Sequence, residues 1–341
     1  MKILVAPLNW GLGHASRCVP LVQRFLEEGH EVILGGDGAS LTLLRRHFPK
    51  CRYVFLAPLN LRYGKGKRQV WAMIKALPKL MAWAYKDHVM LQAVLREEKI
   101  DMVVSDNRFG LYTNHQSQTT NPSSPITVYI THQLHIFLPK GWRWLEPLVA
   151  RLHARIYTRY NKVWVPDYEE PEKSLSGELG HPAISHQPSA ISKIEYIGPL
   201  SRFAQSTNCK PQTTYGVVAV LSGLEPQRTM LERELVARYR DSQEKVLIVQ
   251  GLLNRPNTRI KRGAITIVPY MSDEELAAAL MGAKHIIVRS GYSTIMDLDA
   301  LGLLHVPMTN HQSPIITFIP TSGQPEQEYL AHFMAEKCQK S

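Results

Sequence analysis

Short apolar runs alternate with segments of helical spacing along almost the whole chain, and this alternation limits the fold more than any other feature. Lys2–Ala6 reads as a buried strand, and Ala15–Glu28 has helical spacing through Val19, Val22, Phe25 and Leu26, closed by Gly29. Strand Glu31–Leu34, helix Leu41–His47 and strand Tyr53–Leu56 continue the rhythm. A long helix is predicted over Val70–Glu98, bent at Pro78, then strands at Asp101–Ser105 and Ile126–Ile130. Helix Trp144–Tyr160, strand Lys162–Val165 and strand Ile194–Gly198 complete the series. Glu169–Lys193 breaks it with Pro, Ser, His and Gly and little periodicity.

A second series follows the polar segment Ser201–Thr214. Its strands are Gly216–Leu221, Lys245–Val249, Ile265–Val268, His285–Val288 and Ile315–Ile319. Its helices are Pro226–Tyr239, Asp273–Met281, Ser293–Leu301 and Gln324–Glu336. Such alternation requires parallel sheets with helices on both faces. The expectation is an α/β protein of two doubly wound, Rossmann-like domains, residues 1–200 and 201–341, facing each other across a cleft. Ligands of these sheets sit beyond the carboxyl ends of the strands, so the loops there hold the candidate chemistry.

Composition narrows the functions. Of 341 residues, 44% are hydrophobic and 20% charged, which excludes disorder as the main state. Cys18, Cys51, Cys209 and Cys338 are scattered, with no C-x-x-C pair, so neither a disulfide scaffold nor a structural zinc site is expected. The first apolar run is too short and broken for a secretory signal, and no run reaches membrane-span length; a cytoplasmic location is expected. The net charge of +11 favours an anionic partner: phosphate, nucleic acid or an acidic membrane surface. No base-stacking module is legible, so nucleic acid is set aside.

Four strand-end loops carry the pattern. The first is Gly11-Leu12-Gly13-His14 with Arg17, where glycines allow close backbone approach and His14 stands at a helix mouth as a candidate base. It lacks the third glycine of a dinucleotide fingerprint and the Gly-Lys-Ser/Thr of a P-loop. The second is Ser222-Gly223, followed by Arg228. The third is Ser290-Gly291-Tyr292-Ser293-Thr294 with Asp297, a capped helix start suited to an anion. The fourth runs from Pro320 through Gly323-Gln324-Pro325-Glu326-Gln327. Each taken alone also reads as an ordinary turn or capped helix. Asp106, Asn107 and His132 follow two further strands and are secondary acceptor-side candidates.

The order and spacing of these segments resemble the GT-B glycosyltransferases, and in pattern most of all the bacterial enzymes that add N-acetylglucosamine to the peptidoglycan lipid intermediate. The resemblance implies that the second domain binds a nucleotide-diphosphate sugar, UDP-linked, which serves as co-substrate with no other cofactor. Donor contacts would come from Gly13, Ser222, Gly223, Arg228, Tyr270, Met271, Ser290, Gly291, Ser293, Thr294, Asp297, Gln324, Glu326 and Gln327. Asp297 would take a ribose role usually filled by glutamate, and Glu326 and Gln327 would grip sugar hydroxyls. Gly11, Arg17, Asn107 and His132 would face the acceptor, with His14 as base and Asp106 orienting it. Helix dipoles and basic side chains would carry the leaving-group charge without a metal.

The chain departs from that pattern in its first loop, in the length of His305–Thr317, and in Asp297 for glutamate. A different acceptor, glycan or glycolipid, is therefore expected. Asp297-Leu298-Asp299 matches a metal-binding D-x-D, but residues two apart on a helix do not share a face, and it is rejected. Arg62–Arg68 and the aromatic, basic Trp142–Tyr160 segment are compatible with peripheral contact at an acidic inner membrane face. A nucleotide-sugar epimerase and a non-catalytic nucleotide-sugar-binding subunit are the competing readings. Thr113-Asn114-His115-Gln116-Ser117 recurs as Thr309-Asn310-His311-Gln312-Ser313, a repeat with no physical account.

Overall fold

The computed structural model describes residues 1–59, 69–113, 124–182, 193–204, 209–211, 214–223, 225–304 and 314–340, with the side chains of 69–74 and 338–340 excepted. The basic Arg62–Arg68 loop and nearly all of both repeat copies lie outside these residues. Two compact units are present: Met1–Asn9 with His14–Leu200, and Ser201–Ser341 with the short segment Trp10–Gly13.

The first unit is built on strands β1 (Lys2–Pro7), β2 (Glu31–Gly36), β3 (Arg52–Phe55), β4 (Met102–Asp106), β5 (Ile126–Ile130), β6 (Lys162–Val165) and β7 (Ile194–Tyr196). They form one sheet in the order β3-β2-β1-β4-β5-β6-β7, with every pair parallel. Its helices are α1 (Gly13–Glu27), α2 (Gly38–His47), α3 (Gln69–Glu97) and α4 (Glu146–Tyr157). Leu4, Ala6, Ile33 and Val103 are fully buried and pack with Leu91 of α3, as apolar runs covered on both faces must.

The second unit holds β8 (Val217–Val220), β9 (Val246–Val249), β10 (Ile260–Arg262), β11 (Ile265–Val268), β12 (His285–Val288) and β13 (Ile315–Phe318). Their order is β10-β11-β9-β8-β12-β13. The helices are α5 (Gln227–Arg238), α6 (Asp273–Met281), α7 (Tyr292–Ala300) and α8 (Pro325–Lys340). Both units are thus doubly wound Rossmann-like domains, the α/β class expected.

Two local readings are corrected. The helix predicted over Trp144–Tyr160 is a 3-10 turn, Lys140–Leu145, followed by α4, because Pro147 sits at the start of a fresh α-helix. The sequence reading contains no β10; this antiparallel edge strand pairs with β11, and all three of its residues are exposed, so it lacks a buried apolar signature. The long helix expected there is present as α3, with Pro78 inside it.

Candidate functional site

In a doubly wound sheet the ligand sits where adjacent strands send their connections to opposite sides. In the first unit that point lies between β1 and β4, which pair through Pro7 and Asp106 at their carboxyl ends. Asp106 is the last residue of β4 and is fully buried. His14 is the second residue of α1, in the connection leaving β1. His14 Nδ1 lies 2.9 Å from Asp106 Oδ1.

Arg17, one helical turn beyond His14, grips the same carboxylate. Its Nε donates to Asp106 Oδ2 at 2.5 Å and its Nη2 donates to Oδ1. Nη1 donates to His132 Nδ1 at 3.1 Å, which brings the loop after β5 into the cluster. Burial alone would raise the Asp106 pKa, but the Arg17 and His14 charges overcome it and hold the carboxyl well below its ordinary range. Asn107 turns the chain away with a φ of 56°, and its Oδ1 accepts from the Tyr129 hydroxyl at 2.8 Å. His14, Asp106, Arg17 and His132 are therefore one hydrogen-bonded group; Asn107 adjoins it, and Gly11 lies in the loop before α1. The Arg17 charge, assigned from sequence to a ligand, is neutralised within the group by Asp106.

The second unit repeats the plan. β8 and β12 are neighbours at its switch point. Ser222 and Gly223 follow β8, Ser290 and Gly291 follow β12, and Tyr270 and Met271 follow β11. Gln324 precedes α8, and Glu326 and Gln327 lie in its first turn after β13. Gly291 caps α7 with extended backbone, and Ser293 and Thr294 lie in that helix's first turn. The loop faces thus present main-chain N–H groups at helix starts.

Several predicted side chains are already committed. The Ser290 hydroxyl donates to the Gln327 carbonyl at 2.7 Å, and Gln327 Oε1 accepts from the Thr321 N–H at 2.9 Å. Arg228 is buried; it donates to Glu232 at 3.0 Å, to Glu225 through Nε at 2.9 Å, and to Thr229 at 2.9 Å. Asp297 accepts from the Ser201 hydroxyl at 2.6 Å, with Arg202 Nε 3.6 Å away. Burial pushes the Asp297 pKa up to about 6, against the opposing pull of Arg202 and Ser201. Asp297 and Asp299 both lie in α7, and the described residues contain no cluster of three metal-ligating side chains.

Arg289 is the residue that sequence reasoning missed. It is 6% exposed and follows β12 directly. Its signal is faint: an arginine one position before Ser290 reads as a strand terminus, and only the fold reveals its partners.

No protein-family model matches the chain. A protein of Methanosarcina acetivorans described as an uncharacterized glycosyltransferase is 24% identical over 350 residues, spanning 99% of this chain and 84% of its own. A Methanosarcina mazei protein of the same description is 22% identical over 348 residues, with the same 99% and 84% shares. Among solved structures, the glycosyltransferase of kitacinnamycin superposes with a TM-score of 0.56 at 14% identity, covering 97% of this chain and 84% of that one. Arabidopsis thaliana UGT89C1 complexed with UDP-L-rhamnose gives 0.51 at 14%, covering 99% and 92%. The chain has the GT-B fold, and both comparisons range it with glycosyltransferase enzymes.

Proposed function

We propose that the protein transfers a hexosyl or N-acetylhexosaminyl group from a nucleotide-diphosphate sugar, UDP-linked, to an acceptor hydroxyl. The observation that carries this reading is the His14–Asp106 pair at the switch point of the first unit. With its proton on Nδ1, facing the ionised Asp106, His14 keeps the lone pair on Nε2 for the acceptor. The acceptor oxygen attacks the anomeric carbon, its proton passes to His14 Nε2, and the bond to the diphosphate breaks with its electron pair leaving on oxygen.

The donor belongs, on this reading, to the second unit. Ser222, Gly223, Gly291, Ser293 and Thr294 offer N–H groups and hydroxyls to the diphosphate. The dipole of α7 adds positive potential there, so the leaving-group charge is met without a metal. Tyr270 and Met271 border the base, and Gln324 and Glu326 the sugar. UDP-L-rhamnose bound by UGT89C1 supports the kind of donor.

The acceptor reading, a glycan or glycolipid reached at an acidic membrane surface, rests on two exposed apolar stripes in the first unit. Leu77, Met81, Tyr85 and Val89 recur every fourth residue along α3, and are 50%, 73%, 70% and 45% exposed. Trp144, Leu148 and Leu152 repeat the spacing at 74%, 50% and 46%. Lys75, Lys79 and Lys86 accompany the first stripe, and Lys140, Arg143, Arg151 and Arg155 the second, all exposed. The one acid between residues 75 and 90 is Asp87, which is buried. Apolar faces edged by cations suit an anionic lipid interface. No helix among the described residues is long and apolar enough to cross a membrane.

The test is release of free nucleoside diphosphate from a panel of nucleotide sugars, with and without lipid-linked acceptors. Release by the wild type and its loss in His14→Ala support the reading. No release with any donor overturns it.

A further inference from the structure

We infer that Arg289 is a positioning residue for the donor diphosphate: it spaces the three loops around that group and supplies the buried positive charge beneath them. The inference rests on the donor reading above.

Its guanidinium bridges three elements. Nη1 donates to the carbonyls of Ile319 at 3.4 Å and Pro320 at 3.1 Å, beyond β13. Nη2 donates to the carbonyl of Gln227 at 2.9 Å, in the first turn of α5. Arg289 itself joins β12 to the Ser290-Gly291 loop. One side chain therefore ties together the first turn of α5, the loop into α7 and the residues just after β13: the first two border the proposed diphosphate position, and the third leads to the proposed sugar contacts of α8.

Its three hydrogen-bond partners are neutral carbonyls, and among the described residues no carboxylate lies within ion-pair distance. Nε is buried with no hydrogen-bond partner among the described residues. The contrast with Arg228 is direct: Arg228 is held by two glutamates, and Arg289 by none. A buried charge with no counter-charge in contact is costly, and carbonyl dipoles offset only part of that cost. Burial also draws its pKa down, and the Glu234 carboxylate, outside ion-pair distance, opposes this only in part. Both terms reverse once an anion sits at the loops. The diphosphate is then the counter-charge, reached through the field and the loop spacing, not by direct contact.

The experiment uses the whole chain, with UDP and uridine as probes in titration calorimetry. Wild type is compared with Arg289→Gln and Arg289→Lys, with folding followed by circular dichroism. UDP affinity is expected to fall about tenfold or more in Arg289→Gln while uridine affinity holds, and the lysine to restore most of the loss. Equal loss of UDP and uridine, unchanged UDP binding, or no rescue by lysine overturns the inference. Should the glutamine variant not fold, the lysine variant decides: a retained preference for UDP over uridine supports the charge role, and a lost one overturns it. Failure of the wild type itself to bind UDP, GDP, ADP or dTDP would instead overturn the donor reading.

Discussion

Asp106 Oδ1 is shared: His14 Nδ1 lies 2.9 Å from it, and the Arg17 guanidinium donates to the same oxygen. The carboxylate therefore does two jobs. It neutralises a buried arginine, and it holds an imidazole ring whose other nitrogen is the one proposed to meet the acceptor. Arg17 Nη2 also stands 2.9 Å from His14 Nδ1, and a guanidinium only donates. The ring is thus poised between a donor and an acceptor, and its useful tautomer depends on the negative charge of Asp106.

This gives two separable outcomes. His14→Ala should lower turnover about a hundredfold or more while leaving nucleotide binding unchanged. Asp106→Asn keeps the shape but removes the charge, so kcat should fall comparably and stability should fall too, because Arg17 loses its counter-ion; about 3 kcal/mol is the scale for breaking a buried pair. Kinetics together with denaturant melts check both. A fully active Asp106→Asn would remove the orienting role.

The order of elements was legible because parallel strands buried on both faces are continuous apolar runs, such as Ile3–Ala6 and Val246–Val249. The strand-end positions of His14, Ser222 and Ser290 followed from that order. The neighbours of each strand did not. Only the sheet order sets β4 beside β1 and so brings Asp106 to His14, 92 residues away in sequence. Charge partners were hidden in part. Glu225 and Glu232 stand three and four residues from Arg228, so spacing alone could pair them, whereas Arg289 reaches carbonyls 31 and 62 residues away that only packing reveals.

Two glycines at the second switch point should differ in their tolerance. Gly223 has a φ of +95° with open space around an added Cβ, so Gly223→Ala meets only backbone strain, about 1 kcal/mol. Gly251 has a φ of +71°, and its added Cβ would come within 2.9 Å of the Leu221 carbonyl oxygen. Gly251→Ala should therefore cost more, and should displace the end of β8 next to Ser222. Urea melts rank the two; an equal or smaller loss at Gly251 contradicts the close approach.

The two units should respond oppositely to pH. His153 in α4 is 7% exposed, with Nδ1 unpartnered, and burial draws its pKa down to about 4 from 6.5. The folded first unit resists this proton, so its stability is full above pH 6.5 and is lost as pH falls toward 4. Asp297 behaves in reverse. Burial raises it from 3.8 to about 6, so the second unit is favoured below pH 3.8 and loses that stability as pH rises through 6. Each effect is worth roughly 3 kcal/mol at most. Hydrogen exchange by mass spectrometry between pH 4 and 7 reads the units separately. His153→Phe should flatten the first unit's profile and Asp297→Asn the second's; a variant that runs parallel to wild type rejects its assignment.

The apolar stripes of α3 and of the Lys140–Leu145 turn with α4 make the last prediction. Solvent-facing Met81, Tyr85 and Trp144 gain nothing from folding in water, yet they recur at four-residue intervals beside lysines and arginines. An interface that accepts the side chains while anionic headgroups meet the cations accounts for both features. Each cation near such a surface contributes about 1 kcal/mol. Vesicles of mixed neutral and anionic lipid should therefore bind the protein, and purely neutral vesicles should bind it much less. Replacing Met81 and Tyr85 by Ser should weaken binding at any salt concentration, because that term is apolar burial. Replacing Arg151 and Arg155 by Gln should weaken it mainly at low salt, where charge attraction is least screened. Sedimentation of the vesicles measures both. Binding that ignores lipid charge, or that survives both pairs of substitutions, would assign the stripes to a protein partner instead.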